Sequence, residues 1–416
     1  MAKVLSEKKT TKDLILEKAF SFYDRPHYNN FSMSDLAKRA GITKPAIYRH
    51  FSSKSELLKE MQDYFFKSLS EHLLEDSDNL HDGVYSCSDL RSAVIFFAEN
   101  PQFINYFICQ LCENCNFEET IVKELVQRGC RNFPQKDSSG FNETKIKVHA
   151  FYCGMTFLFF LKYRHISVKK QEKVCMPEEF AEKLIKFVAG GFKGSVSENS
   201  SLFPAKIDEK RRLELDRICH LKKEDFPEEN KIFLALSSVI RKNQIGGVTI
   251  EKIADELNMS KSGLYFYFAN KNEMISTLID RELDLMEVIC HENSTEARNF
   301  SEVIYIFFRS VLEFFMVRPS VIPVYGWLLQ TKTEAEFFGK LETPRFDFLS
   351  ERFKDAFGEI DLGMKVDSHV FLFYLGMLPV AMMGFNERKN YTNDEIFTIF
   401  SAIFDFIEYG VADFSV

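Results

Sequence analysis

A short basic stretch within the first fifty residues holds the side chains best suited to contact a nucleic acid. Lys44, Tyr48, Arg49 and His50 lie close together in it. Ammonium, guanidinium and hydroxyl groups donate hydrogen bonds to phosphate oxygens, and an arginine can donate two hydrogen bonds to the edge of a guanine. These residue types at this spacing predict a recognition element for DNA, with a helix over Lys44–Phe51.

The flanking residues predict the elements that position this stretch. Ser32 is of helix N-cap type and Asp35 follows three residues later, which is the spacing of a capping box. Gly41 suits the left-handed backbone of a tight turn after that helix. Thr43 then caps the next helix, and Pro45 falls in its first turn, where a missing N–H costs little. Helix, turn and short helix together make a helix-turn-helix.

This region resembles the DNA-binding head of the TetR (tetracycline-repressor) family of bacterial regulators. The likeness is carried by TKPAIYRHFSSKSELL, which starts at Thr43, and by ILEKAFSFY at Ile15–Tyr23. It implies a ligand-responsive repressor that binds a double-stranded DNA operator and responds to a small-molecule effector. By the family's pattern, the residues that would hold phosphates are Lys44, Tyr48, His50 and Lys54, and those that would lie near base edges or the backbone are Thr43, Pro45, Ala46 and Arg49.

The same head occurs a second time in the chain. Val248–Leu278 aligns without gaps to Phe31–Met61, with Asn258, another residue that tolerates a left-handed turn, at the turn position. In this second head the resemblance implies DNA contacts by Ser260, Lys261, Ser262, Tyr265, Tyr267 and Lys271. Phe266 stands at the position of Arg49 and removes a donor able to read guanine, so the two heads should not prefer the same half-site.

Weaker sequence matches extend the repeat beyond the two heads, and we predict two complete TetR-like modules in an all-α fold. YCGM at Tyr152 matches YLGM at Tyr374, and no alternation of β-branched residues of strand length is present. Each module would have a three-helix head and a helical body for ligand binding and dimerisation. The predicted boundaries are residues 1–55 for head 1, 56–194 for body 1, 195–226 for a solvated linker, 227–271 for head 2 and 272–416 for body 2.

The two modules are predicted to pair through their terminal helices as an intramolecular pseudo-dimer, as separate TetR subunits do. A homodimer of two chains is the alternative. Heads placed about 34–36 Å apart would contact successive turns of one DNA face. A perfect palindrome protected by one chain would contradict this arrangement, because the two heads differ in sequence.

Charge separates the first head from the rest of the chain. The net charge is −8, yet residues 1–61 hold 12 Lys and Arg against 7 Asp and Glu, a local charge of +5. Residues 230–280 hold 6 against 5, which leaves −14 for the remainder. A basic cap on an acidic body is the distribution expected of a DNA-binding regulator. The near-neutral second head leaves open a regulator that uses only head 1, with head 2 structural or partner-binding.

Three cysteines at helical spacing, Cys109, Cys112 and Cys115, form a second group that could do chemistry. Thiolates at such intervals bind zinc or iron–sulfur clusters, and accessible thiolates sense redox state. Cysteines three apart on a helix also share one broad face and pack as small hydrophobic side chains, which is the interpretation we favour. A Cys-based metal or redox sensor is the alternative, and no cofactor is predicted.

The predicted bodies are rich in phenylalanine, of which the chain has 44. The TetR resemblance implies that an effector binds in these bodies. His149 and Tyr152 in the first body, and His369 and Tyr374 in the second, are candidates to supply polar contacts inside a Phe-lined cavity. A histidine beside aromatic rings is more often a core residue, and bulky core filling explains the phenylalanines equally well.

Several other classes of protein lack support in the sequence. No phosphate-binding glycine loop, nucleophile elbow or paired His–Glu metalloprotease helix is present, so no enzymatic activity is predicted. Val370–Phe385, the longest uncharged apolar run, is shorter than the ~20 residues of a membrane span, so no membrane partner is expected. An odd number of cysteines, nine, with no secretory signal predicts a reducing cytoplasmic location.

Overall fold

The computed structural model describes residues 10–24, 31–75, 87–113, 117–130, 143–195, 206–243, 248–331, 346–349, 351–352 and 361–411. Within those ranges the regular structure consists of α-helices and short 3-10 turns, with no β-strand, which confirms the predicted all-α class. None of the helices in this part of the chain is long and apolar enough to cross a membrane.

The helices follow one another through both predicted modules. Those of the first module are α1 (Thr11–Phe20), α2 (Met33–Ala40), α3 (Lys44–Tyr48), α4 (Lys54–Glu75), α5 (Cys87–Glu99), α6 (Gln102–Glu113), α7 (Phe117–Gln127), α8 (Glu143–Lys169) and α9 (Pro177–Ser195). Those that follow are α10 (Glu209–Cys219), α11 (Lys231–Asn243), α12 (Ile250–Glu256), α13 (Lys261–Tyr267), α14 (Lys271–Ser294), α15 (Phe300–Val317), α16 (Val321–Thr331), α17 (Ser368–Lys389) and α18 (Asn393–Tyr409).

The described residues form two compact units. Unit 1 holds the described residues up to 130 together with 160–185, and unit 2 holds 143–159 and 186–411. Head 1 therefore belongs to unit 1 and head 2 to unit 2. The first part of α8 and the last part of α9 belong to unit 2, where they pack with helices of the second module.

Aromatic rings fill the centre of unit 1. Phe20 of α1 meets Phe103 and Tyr106 of α6 edge to face, with ring centroids 4.8 and 5.0 Å apart. Phe65 of α4 lies 5.4 Å from Phe103 and 6.5 Å from Phe96 of α5. Burial of large rings is a major stabilising term in such a core. These phenylalanines therefore hold the first helix of head 1 against the helices of its body.

Helix α15 is the centre of unit 2 and is buried over Phe300–Phe315. Two arginines inside this unit are paired with carboxylates. Arg309 contacts Glu313 at 2.7 Å, and Arg318 donates two hydrogen bonds of 2.6 and 2.8 Å to Glu282. Because an unpaired charge in an interior is very costly, the pair of Arg318 with Glu282 helps to fix how the end of α15 lies against α14.

The segment predicted as a solvated linker contains a packed helix. Leu215 and Cys219 of α10 are fully buried, and α10 packs on α15. Arg211 of α10 forms an ion pair of 2.8 Å with Glu302 of α15. The charges of this segment therefore do not all face solvent, since that of Arg211 lies against α15. The expectation of a solvated linker was wrong for this helix, because Leu215 and Cys219 fall on one side at helical spacing and pack inward.

Two glycines mark a close approach of backbones in unit 2. Gly191, in the last turns of α9, and Gly410, after α18, have φ angles of 60° and 74°, in the region that favours glycine. A Cβ on Gly191 would lie 2.4 Å from the Gly410 nitrogen, and a Cβ on Gly410 would lie 2.1 Å from the Ala189 oxygen. The Val411 N–H donates to the Val188 carbonyl at 3.0 Å. The final helices of the two modules thus meet backbone to backbone.

Candidate nucleic-acid interface

Head 1 is built by local hydrogen bonds that its motif predicts. Ser32 Oγ accepts from the Asp35 N–H at 3.1 Å. Hydrogen bonds from the Ser32 hydroxyl and N–H in turn hold the pKa of Asp35 below its usual value. Gly41 takes a φ of 68°, and Thr43 Oγ1 accepts from the Ala46 N–H at 3.3 Å. The predicted capping box, left-handed turn and N-cap are confirmed.

Helix α3 is shorter than its motif predicts. It ends at Tyr48, not at Phe51. The Phe51 N–H donates to the Ile47 carbonyl at 2.9 Å, and both side chains are fully buried, so the chain turns inward to pack Phe51. Arg49 keeps helical dihedral angles (φ −72°, ψ −25°), and its side chain leaves the backbone as it would from one more helical residue.

The outward face of head 1 gathers most of the predicted DNA-contacting residues. The exposed ones are Thr43, Lys44, Pro45, Tyr48 and Arg49, and the half-buried ones are Ala46, His50 and Lys54. Lys44 Nζ lies 5.9 Å over the Tyr48 ring. Neither Lys44 nor Arg49 forms an ion pair with a carboxylate among the residues that the structure describes. Both cations are therefore free to meet an anionic ligand.

Lys54 differs from the other predicted phosphate-binding residues of head 1. Its Nζ lies 4.4 Å over the Phe31 ring, and burial lowers its pKa. The ammonium group would have to leave this ring to reach a phosphate. Lys54 thus contributes less to the basic surface than its place in the motif implies.

Head 2 repeats the frame of head 1 with different cap residues. Thr249 Oγ1 accepts from the Lys252 N–H at 3.3 Å, and Ser260 Oγ accepts from the Gly263 N–H at 3.1 Å. Asn258 takes the turn with a φ of 52°, in the same left-handed region as the glycine of head 1. The prediction that asparagine would preserve this turn is confirmed.

The outward face of α13 is aromatic. Phe266 is 86% exposed and Tyr267 is 63% exposed, and their rings meet edge to face with centroids 5.4 Å apart. The other exposed residues of this face are Ser260, Lys261, Ser262 and Tyr265. Leu264 supplies the buried contact of the helix. Phe266 and Tyr267 are thus presented to solvent and take little part in the packing of the head.

Both predicted phosphate-binding lysines of head 2 have partners within the chain. Lys261 forms an ion pair with Glu251, and its hydrogen bond lowers the pKa of that carboxyl to about 2. Lys271 donates to the Val248 carbonyl and lies 5.4 Å from the Trp327 ring, and burial lowers its pKa. Head 2 therefore offers a DNA phosphate fewer free cations than head 1.

Three acidic residues account for most of the difference in charge between the heads. Glu251, Asp255 and Glu256 stand where head 1 has Ser34, Lys38 and Arg39. Residues 32–54 hold five basic side chains and one acidic, a charge of +4, whereas residues 249–271 hold three of each, a charge of zero. Glu251 is not among the residues that the motif singles out. An acid in the first turn of the helix before the recognition helix is the signal that could find it.

Three of the four candidate effector-binding residues come together in unit 2. Tyr152 and Tyr374 are fully buried, and Thr156 Oγ1 lies 2.7 Å from Tyr374 Oη. His149 packs edge to face on Phe406, and burial lowers its pKa. These are contacts between closely packed helices, α8 with α17 and α18.

His369, the fourth candidate, faces a different group. Its Nε2 lies 3.3 Å from Asp347 Oδ1. The two histidines therefore have unlike surroundings, and they also lie at different distances before their tyrosines, three residues for His149 and five for His369. Effector binding by these residues stays a prediction.

The cysteine cluster is described only in part. Cys109 is buried on α6. The side chain of Cys112 and the whole of Cys115 lie outside the described residues. Among the residues that the structure covers, no group of three or more His, Cys, Asp or Glu side chains is placed to hold a metal ion. That these cysteines pack as small hydrophobic side chains, and do not form a metal or redox sensor, stays a prediction.

The two heads define the chain as a helix-turn-helix protein, since each presents a capped recognition helix after a left-handed turn. The family described as bacterial regulatory proteins, tetR family, matches the chain twice, over residues 15–61 and 236–278. The two matches cover 90 of the 416 residues, so the chain carries two heads of the tetR-family type.

Two curated proteins are similar to part of the chain. The HTH-type transcriptional regulator AcrR of Shigella flexneri is 33% identical over 73 residues, which are 18% of this chain and 34% of that protein. The biofilm operon icaADBC HTH-type negative transcriptional regulator IcaR of Staphylococcus epidermidis is 26% identical over 76 residues, which are 18% of this chain and 41% of that protein. The chain thus spans less than half the length of either relative in these matches.

Proposed function

We propose that this protein is a DNA-binding transcriptional regulator that holds its operator chiefly through head 1. The observation that carries the proposal is the exposed pair Lys44 and Arg49 on a capped recognition helix, with no carboxylate partner in the described residues. Both curated relatives are named as HTH-type transcriptional regulators, which supports a regulatory and non-enzymatic role.

Head 1 has the charge and the donors that both parts of DNA recognition require. Lys44 is placed to neutralise a phosphate, which releases a counterion and makes the affinity depend on salt. Arg49 can donate two hydrogen bonds to the O6 and N7 atoms of a guanine in the major groove. The buried Ile47 and Phe51 anchor the backbone that carries these cations, so little ordering is needed on binding.

The proposal is tested by the affinity of the full-length protein for duplexes from the region upstream of its own reading frame. Fluorescence anisotropy over a range of salt concentrations gives both the affinity and the salt slope. Arg49→Ala should weaken binding by roughly 5- to 150-fold, which corresponds to about 1–3 kcal/mol. Lys44→Ala should reduce the salt slope by about 1.

A lysine of the first body provides the matched control. Lys123 on α7 is exposed, and Lys123→Ala should leave both affinity and salt slope unchanged. Wild-type affinity for the Arg49→Ala variant on every duplex would contradict the proposal.

We further propose that one chain supplies both partners of the helix pairing, as an intramolecular pseudo-dimer. The Thr156 hydroxyl donates to the Tyr152 carbonyl at 2.7 Å, which leaves its oxygen free to accept from the Tyr374 hydroxyl. This buried bond joins α8 to α17, and the contact of Gly191 with Gly410 joins α9 to the end of α18. Both contacts favour pairing of the two modules of one chain.

The mass of the protein, free and on DNA, tests this arrangement. One chain per duplex over a wide concentration range supports it, whereas two chains that each use head 1 would make the homodimer correct. Gly410→Ala should weaken the pairing and lower the unfolding temperature, because its Cβ would overlap the Ala189 carbonyl. Gly190→Ala is the control, since a Cβ there meets no atom within 4 Å.

We infer, more specifically, that the protein is a ligand-responsive repressor. One of the two relatives is named as a negative transcriptional regulator, which favours repression here. Deletion of the gene that encodes the protein should then raise transcription from the promoter whose DNA the protein binds, as measured with a reporter fused to that promoter. A fall in transcription would instead make the protein an activator.

A further inference from the structure

Head 2 has the same arrangement of caps and turn as head 1, but its recognition helix presents aromatic rings where head 1 presents cations. The caps at Thr249 and Ser260 and the left-handed Asn258 set α13 in the same local frame as α3. Phe266 stands at the position of Arg49, and Tyr267 stands at that of His50. Since Arg49 has helical dihedral angles, the two equivalent side chains leave their heads in the same direction. Whatever Arg49 faces in one half-site, Phe266 faces in the other.

We propose that head 2 reads thymine, with the Phe266 ring packed on the 5-methyl group of a thymine in the major groove. This inference rests on the proposed function, because it takes duplex DNA as the ligand of both heads. The thymine methyl is the apolar group that a base pair presents in the major groove, and phenylalanine is among the side chains that contact it. A second half-site rich in A·T pairs therefore suits the aromatic face of α13.

The low charge of head 2 fits this role when both heads are on one chain. Head 1 carries the +4 of residues 32–54 and supplies the salt-dependent attraction to phosphates. Once head 1 is bound, head 2 meets the DNA at the high effective concentration of a tethered domain. It can then add apolar base contacts without many phosphate contacts of its own. Binding by head 2 should accordingly depend weakly on salt.

The remaining polar side chains of α13 are compatible with binding in the major groove of DNA. Ser260 and Ser262 are exposed at its start, and serine hydroxyls hydrogen-bond to bases or to phosphates. The ion pair of Lys261 with Glu251 is exposed, so salt screens the negative charge that Glu251 would bring near a phosphate. The composite operator would thus join a guanine-containing half-site for head 1 to a thymine-containing half-site for head 2.

The test begins with selection of duplexes from a random library by the full-length protein, which defines both half-sites at any spacing. Each thymine of the second half-site is then replaced by uracil, a change that removes only the methyl group. The wild type should lose about 4-fold in affinity at one such position, the factor expected from about 0.8 kcal/mol per buried methyl group. Phe266→Ala should lose at least as much on the thymine duplex and should not distinguish thymine from uracil.

Two comparisons make the result specific to Phe266. Phe266→Leu should restore part of the discrimination between thymine and uracil, because leucine also offers an apolar surface. Uracil in the first half-site should affect the wild type and Phe266→Ala equally. Since Phe266 is 86% exposed, both variants should fold, which circular dichroism checks.

The failure of this inference can be told apart from failure of the proposed function. If selection yields a first half-site only, and Phe266→Ala binds it as the wild type does, head 2 is not a DNA reader and a protein partner becomes its ligand. If a second half-site is selected but uracil is tolerated throughout, thymine reading is overturned. If Arg49→Ala has no effect on any duplex, the proposed function itself is wrong.

Discussion

Head 1 and head 2 share one backbone frame and differ in what that frame presents. Each has a capped helix, a left-handed turn and a capped recognition helix. Head 1 presents Lys44 and Arg49 without carboxylate partners in the described residues, whereas head 2 presents Phe266 and pairs Lys261 with Glu251. The family motif thus determines where a recognition helix lies, whereas a few neighbouring residues determine what that helix can bind.

Exchange of the two recognition residues should produce the largest effect. The double variant with Arg49→Phe and Phe266→Arg keeps both frames and reverses the chemistry of the heads. It should lose more than roughly 10-fold in affinity on the selected operator, since it forfeits a guanine contact worth about 1–3 kcal/mol. Affinity should partly return on an operator whose half-sites are exchanged. Equal affinity of this variant for both operators would show that these two positions do not determine the preference.

The second largest effect should be on the salt dependence of binding. Glu251→Ser gives head 2 the residue that stands in head 1 and frees Lys261, so the salt slope should steepen by about 0.9 for one added phosphate contact. The reciprocal change Ser34→Glu places a carboxylate near Lys44, and the slope should become shallower by a similar amount. Ser34 is exposed, so this variant should fold. Two unchanged slopes would mean that neither lysine contacts phosphate.

The turn residues should show a smaller effect, on stability. Gly41→Ala keeps open space around the new Cβ but forces an alanine to a φ of 68°, which costs roughly 1–2 kcal/mol. Asn258→Gly in head 2 should change little, because asparagine already tolerates this backbone. Native-state amide hydrogen exchange within each head measures the two opening free energies separately. A large loss for Asn258→Gly would reveal a side-chain role for Asn258 beyond the turn.

The smallest effect concerns the titration of Glu251. Its pKa of about 2 arises first from the hydrogen bond of Lys261, so Lys261→Ala should return the midpoint toward the ordinary value of 4.5. Because the folded-state pKa is depressed, the stabilisation by this pair is present above pH 4.5 and is lost as the pH falls toward 2. NMR of carbon-13-labelled glutamate carboxyls follows the titration. A midpoint that stays near 2 in the variant would assign the shift to Thr249 or to the backbone.

Much of the fold could be predicted because its signals are local. The capping box of Ser32 with Asp35 and the turns at Gly41 and Asn258 depend on residues within a few positions of one another. The same holds for the recognition helices, although the end of α3 was misplaced by three residues. There the burial of Phe51 prevailed over the helical pattern.

The surface of head 2 could be predicted only in part. The replacement of Arg49 by Phe266 is visible in the repeat, and so is the near-neutral charge. The partner of Lys261 is not, because Glu251 lies ten residues away on the preceding helix and any of three nearby acids has the right sequence distance. The packing of α12 against α13 selects Glu251.

By itself, the sequence determined that this chain is helical, that it contains one head twice, and that the two heads carry different charge. These properties follow from caps, turns and residue types, which act over three or four positions or simply add up. Tertiary structure alone decided that α10 packs on α15, that Tyr374 meets Thr156, and that Lys44 is free of carboxylate contacts in the described part of the chain whereas Lys261 is paired. The physical reason is that such contacts join residues far apart in sequence, and only the packed helices bring their atoms within hydrogen-bonding distance.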